Sequence, residues 1–136
     1  MSRTKKIKRE FFVEGQDKPL PGEIFVFGSN LAGIHGKGAA KTAHEEYDAD
    51  WKVGRGYTGR SYAIPTKNAL FKTLPLAIIK YYVSEFIAFA ELNSHVTFFV
   101  TRIGCGLAGC KDSDIAPLFK TAPKNCKFDI RWKEYL

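Results

Sequence analysis

A chain of 136 residues with 45% hydrophobic and 14% aromatic content is sized for one globular domain with a real core, and is too short for two ordinary ones. Its net charge of +7 points to a polyanion partner only until it is located: Arg3, Lys5, Lys6, Lys8 and Arg9 all precede the first acid, Glu10, and the rest is nearly balanced. No apolar run can span a bilayer, and the basic start leads into a mixed segment rather than a leader-like one, which excludes a membrane protein and predicts a soluble, cytoplasmic chain.

Residues 1–9 are thus expected to be a basic flexible tail and 10–136 a single domain. The tail reads as a solvated end or as an arm able to touch a nucleic-acid backbone. Cys105, Cys110 and Cys126 are odd in number and lack C-x-x-C spacing, so reduced thiols are expected rather than a disulfide framework or a zinc site, and no metal or other cofactor is implied.

Phe11-Phe12-Val13 predicts a first strand ending at Glu14-Gly15, and 18–22, with two prolines, a loop. Ile24 to Phe27 has the apolar, aromatic character of a strand buried on both faces, stopping at the turn residues Gly28-Ser29-Asn30. A loop carrying Gly33, Gly36 and Gly38 then feeds a short helix from Gly38 to about Tyr47, small residues inward and His44 on its surface. Such a helix start binds anions, because free backbone N–H groups and the positive end of the helix dipole converge where no side chain blocks a phosphate. The plainer reading is a tight connection needing positive φ.

Gly54 to Gly59 matches G-x-G-x-x-G but follows a helix and precedes a strand, the reverse of a dinucleotide fingerprint, so 52–60 reads as a mobile loop from which Arg55, Tyr57 and Arg60 can lean over a ligand. Ser61 to Pro65 is the next strand, with Lys67 just past its end. Thr73 and Pro75 open a long helix with Leu76, Ile79, Val83, Phe86 and Ala90 on its core stripe and Lys80, Ser84 and Glu91 on a polar one. His95 to Arg102 is a strand leading into Gly104-Cys105-Gly106-Leu107-Ala108-Gly109, after which Asp112 or Ser113 is placed to cap a helix through Phe119 or Lys120. Lys127 to Trp132 forms the last strand. A Rossmann unit does not fit, since the second glycine loop is long and Pro117 interrupts the helix after it.

Strands alternating with helices predict an α/β fold, a mainly parallel mixed sheet covered on both faces, with both glycine loops and Lys67 at one sheet edge. Two such loops can clamp a diphosphate, one from the helix start behind Gly36 to Ala40, the other through Gly104, Gly106 and Gly109.

In these residues the chain resembles the macro domain, the three-layer α/β/α fold that binds ADP-ribose, and within it the small phage-encoded macro-like proteins. Val26-Phe27-Gly28-Ser29-Asn30 is similar to the family's V-N-A-A-N strand end, with Asn30 on the asparagine that faces the distal ribose and Phe27 replacing the other. Gly36-Lys37-Gly38-Ala39 is similar to the glycine stretch that follows. Tyr62 to Lys67 and Arg102 to Leu107 resemble the terminal ADP-ribose glycohydrolases, in which a lysine after the strand attacks the anomeric carbon and an aspartate directly after G-C-G-L assists. Lys67 matches the lysine, whereas Ala108 stands where the aspartate would be.

The resemblance implies ADP-ribose or a related adenine nucleotide diphosphate as ligand, held by Gly28, Ser29, Gly36, Lys37, Gly38, Ala39, Gly104, Cys105, Gly106, Leu107, Ala108 and Gly109. It implies Lys67 and Asn30 as catalytic candidates for ADP-ribosyl hydrolysis, to which His35, by its place inside the first loop, is added, with an ADP-ribosylated macromolecule as substrate; the alternative is a module that binds or sequesters the ligand without turnover. Hydrolysis at ribose passes through an oxocarbenium-like state that needs a nucleophile or activated water and an acid–base group. Lys67 reads as the nucleophile or as a phosphate-pairing lysine. His35 reads as an acid–base or stacking group or as an exposed loop residue, and Asp112 and Asp114 as acids or helix caps. Cys105 offers a thiol nucleophile with His35 as base, or a small residue packed under its loop. Tyr57, Tyr62 and Phe71 are candidates to stack on adenine.

Overall fold

The computed structural model describes residues 7–136, so Arg3, Lys5 and Lys6 of the basic tail lie outside the described residues. Six strands form one sheet: β1 (Glu10–Phe12), β2 (Ile24–Asn30), β3 (Gly56–Thr58), β4 (Ser61–Lys67), β5 (Phe98–Val100) and β6 (Cys126–Asp129), in the spatial order β1-β6-β5-β2-β4-β3. All pairings are parallel except β3 with β4. Helix α1 (Gly38–Glu46) links β2 towards β4, and α2 (Leu76–Leu92) carries the chain from β4 across to β5 on the other side of β2. The crossovers therefore diverge at β2, and a crevice opens at the carboxyl ends of the strands around it.

Alternation along the strands builds a core on each face of the sheet. Val26, Ile64, Phe98, Val100 and Phe128 point to the α2 side, where Val83 and Phe86 complete the packing; Phe25, Phe27, Ala63 and Phe99 point to the α1 side with Ala40 and Ala43. This is the three-layer arrangement that the element order predicts. Among the described residues, no helix is long and apolar enough to cross a membrane.

Several boundaries differ from expectation. The first strand stops at Phe12, because the carbonyl of Val13 accepts the amides of Gln16 and Asp17 in a turn. The segment expected as a mobile loop contains β3, which pairs Tyr57 with Tyr62 as an edge hairpin. Pro65 lies inside β4 rather than at its end, beyond the point where the β3 ladder stops at Ala63. The strand expected from His95 shrinks to three residues. The helix after the second glycine loop is α3 (Asp112–Ile115) running into a 3-10 turn, Ala116–Phe119, where Pro117 is tolerated in the first turn. The last strand yields after Asp129 to a 3-10 helix, Ile130–Tyr135, which buries Trp132 against Phe119 and Phe128.

Arg9 is docked on the domain: its guanidinium donates to the carbonyls of Ala122 at 2.5 Å and Lys120 at 2.8 Å and sits 5.4 Å from the centre of the Phe128 ring.

Candidate functional site

The first glycine loop leaves β2 through Asn30, whose carboxamide accepts the amide of Ile34 at 3.0 Å and donates to its carbonyl at 2.9 Å, folding the loop back on itself. The segment after α1 braces it from behind. Gly33 and Lys52 approach so closely that a β-carbon on Gly33 would lie 2.2 Å from the Lys52 carbonyl carbon, and Ser29 donates its hydroxyl to the Gly54 carbonyl. The loop ends at α1, whose N-cap residue, Lys37, makes no side-chain capping bond, and whose first turn holds no acid. Amides at the start of α1 are thus left for an external acceptor, at the positive end of the helix dipole.

The second loop, 103–110, is closed by short backbone bonds: Cys105 N to Arg102 O, Gly109 N to Gly106 O and Cys110 N to Gly104 O. Asp112 anchors its base, accepting from Arg102 Nε at 2.8 Å and from Trp132 Nε1 at 2.6 Å. The tip is tied as well, since Thr73 donates its hydroxyl to the Ala108 carbonyl at 2.7 Å while its backbone bridges Lys67. The two loops face each other across a narrow gap, with Leu107 Cδ1 3.2 Å from where a β-carbon on Gly38 would sit.

Between them lies a cleft of about 1030 Å³, at the upper end of the range for small-molecule sites. Gly28, Ser29, Asn30, Gly36, Lys37, Gly38, Ala39, Lys67, Gly104, Cys105, Gly106, Leu107 and Ala108 line it, so the residues singled out in the sequence converge on one site. Lys67 is half-buried at the end of β4, and Phe71 stands beside it at the cleft lip with a positive φ of 63°.

Other expectations are corrected. His35 does not face the cleft: it is buried beneath the loop, its Nε2 donating to the carbonyls of Asp50 at 2.9 Å and Val53 at 3.1 Å, its ring edge-on to Phe27 and Trp51. Burial lowers its pKa, partly opposed by those carbonyls and reinforced by His44, so the imidazole is held neutral as a loop brace rather than as an acid–base group. Gly109 supplies a positive-φ turn outside the cleft lining. Asp112 caps no helix; the bonds from Arg102, joined by Trp132 and the Cys105 thiol, outweigh burial and hold its carboxyl at about 2. Cys105 is pushed up to about 12 by burial and then by the Asp112 charge, the reverse of what a thiolate nucleophile needs. Tyr57 stacks on Phe89 and Tyr62 packs on Phe86, both on the α2 side. Arg55 pairs with Glu85 and Arg60 with Asp48, so neither leans over the cleft. Thr73, expected at the helix start, instead holds the second loop.

The floor of the cleft was not identified from the sequence. Phe12 and Phe99 stack at 3.7 Å at one end, near Glu14, Asp17 and Asp129. Of these, Asp129 is saturated by Arg131 and Asp17 accepts the amide of Val13. Period-two alternation puts Phe25, Phe27 and Phe99 on one face, and of these Phe25 and Phe99, though nearly buried, line the cleft.

No protein-family model matches the chain, and no curated protein does. Solved structures do. The macrodomain of Mycobacterium tuberculosis DarG superposes with a TM-score of 0.66 at 17% identity over 90% of this chain and 98% of that one. A protein of unknown function from Bacteroides thetaiotaomicron gives 0.62 at 15% identity, covering 92% and 98%. Thermosipho africanus DarTG, solved in complex with ADP-ribose, gives 0.56 at 15% identity over 82% of this chain and 39% of that one. The chain has the macrodomain fold.

Proposed function

We propose that this chain binds ADP-ribose, or a closely related adenine nucleotide diphosphate, along the cleft between its two glycine loops. The observation that carries the reading is the uncapped start of α1 opposed by Gly104 and Gly106 of the second loop, an arrangement of backbone amides suited to a diphosphate. The Phe12 end offers an apolar floor for a purine, with the Asp17 carboxylate near enough to the cleft to accept from an exocyclic amine. The distal ribose then points to Asn30 and Lys67. Thermosipho africanus DarTG, 39% of which this chain matches, is solved in complex with ADP-ribose, which supports ADP-ribose as the class of ligand.

Hydrolysis of an ADP-ribosyl linkage is the second reading, favoured by Lys67 at the end of β4 beside Ala108. The second loop brings no carboxylate to the cleft, so such a reaction relies on Lys67 together with water, substrate groups or an acid from another segment of the lining, such as Glu14 or Glu46. The substrate is then an ADP-ribosylated macromolecule, and three free thiols suit a cytoplasmic setting.

Calorimetry and thermal shift with ADP-ribose test the binding. A positive shift that survives deletion of residues 1–6 is expected, whereas nucleic-acid binding through the tail would vanish with that deletion and with added salt. No shift at millimolar ADP-ribose would overturn the assignment.

A further inference from the structure

Only four of the seventeen residues of α2 are formally polar, Lys80, Ser84, Glu85 and Glu91, and Glu85 is already paired with Arg55. Such a helix should be buried nearly all round, yet α2 packs on the sheet with one face only. Its outer face presents Tyr81, 58% exposed, and Leu92, 84% exposed, on either side of the small exposed residues Ser84 and Ala88. Spacings of three and four residues place these side chains on one stripe.

We propose that this stripe is the contact surface for a second copy of the same chain, through antiparallel packing of α2 on α2. The argument for that occupant is self-complementarity. A two-fold axis passing near position 86 sets Ser84 against Ala88 of the other copy and Tyr81 against its Leu92. Small residues then lie at the crossing, where the helix axes approach most closely, and large apolar ones flank it. The stripe's two charges sit towards opposite ends of the helix, so the same axis brings Lys80 to Glu91 at both ends. A parallel pairing would oppose like charges instead. Such a contact is isologous and closes as a dimer.

The surface lies across the sheet from the cleft, and no residue of α2 lines that cleft, so association leaves both ligand sites open. The proposal therefore stands independently of what the cleft binds. One helix per copy makes a small interface, below the standard size for a tight complex, and a weak dimer is the consequence.

Sedimentation velocity over a range from micromolar to millimolar chain tests it, alongside four charge variants at exposed positions. Lys80→Glu and Glu91→Lys are each expected to raise the dimer dissociation constant by roughly tenfold, and the double variant, which restores opposite charges across the axis, to recover most of that loss. Ala88→Arg should abolish association while thermal unfolding stays close to wild type. A wild type that remains monomeric at millimolar concentration overturns the proposal and leaves the face to a different partner. Single charge variants that associate as wild type, or a double variant weaker than both singles, overturn the antiparallel geometry and the proposal with it.

Discussion

Gly28 at the end of β2 and Gly104 in the second glycine loop are held so close that a β-carbon on Gly28 would lie 3.1 Å from the Gly104 amide nitrogen. The contact is with backbone and cannot be relieved by a rotamer change. Gly36, in the first loop, has no neighbour within 4 Å of an added β-carbon and no positive φ. Gly28→Ala is therefore expected to cost about 1–3 kcal/mol by overpacking and to displace the second loop. Gly36→Ala should leave stability within about 0.5 kcal/mol of wild type and instead weaken ADP-ribose by filling the approach to α1. Urea unfolding and calorimetry on both variants separate the two effects.

Lys67 lies half-buried in the cleft beside Ala108, with Thr73 joining the two. If it is the nucleophile, Lys67→Ala should abolish release of ADP-ribose from a modified substrate and leave product affinity within about tenfold, roughly 1.4 kcal/mol. Borohydride should then trap the opened ribose on wild type and not on the variant. Lost affinity, with no turnover by wild type, would assign Lys67 to electrostatic ligand contact and the domain to binding alone.

Two groups, the buried His35 and the half-buried Asp112, give the domain separate acid sensitivities. His35 is held neutral, its folded pKa below the unfolded value of about 6.5, so its contribution is complete above that pH and declines as pH falls below it. Asp112 titrates at about 2 in the folded chain, so its contribution is complete above about pH 4 and is lost as pH falls through 2. Urea unfolding from pH 8 to 3 should show a decline that sets in as pH falls below about 6.5 and that His35→Gln flattens. Asp112→Asn should cost about 2 kcal/mol at pH 7 and flatten the profile below pH 4.

Arg9 closes the carbonyl end of the turn before β6, donating to Ala122 and Lys120. Charged hydrogen bonds of this kind contribute roughly 1.5–3 kcal/mol, so Arg9→Ala should lower thermal stability measurably. Deleting residues 1–6 should not. Differential scanning calorimetry on the two variants separates the contribution of the docked Arg9 from that of residues 1–6.

What could be read along the chain were features carried by neighbouring residues. The continuous apolar run of Ile24 to Phe27, the helical stripe from Ile79 to Ala90 and the two glycine clusters set the element order, and parallel crossovers then placed Lys67 and both loops at one edge. The departures concern partners distant in sequence. Asp112 has the local signature of a cap, but Arg102 and Trp132, ten and twenty residues away, claim its carboxylate. His35 sits in a glycine loop that looks exposed until the carbonyls of Asp50 and Val53 fold behind it. The aromatic floor of Phe12 and Phe99 depends on strands that meet only when the sheet assembles. Period and turn chemistry act over a few residues and are legible there; side-chain pairing and the uncovered part of a sheet face arise from packing between segments, which only the folded chain decides.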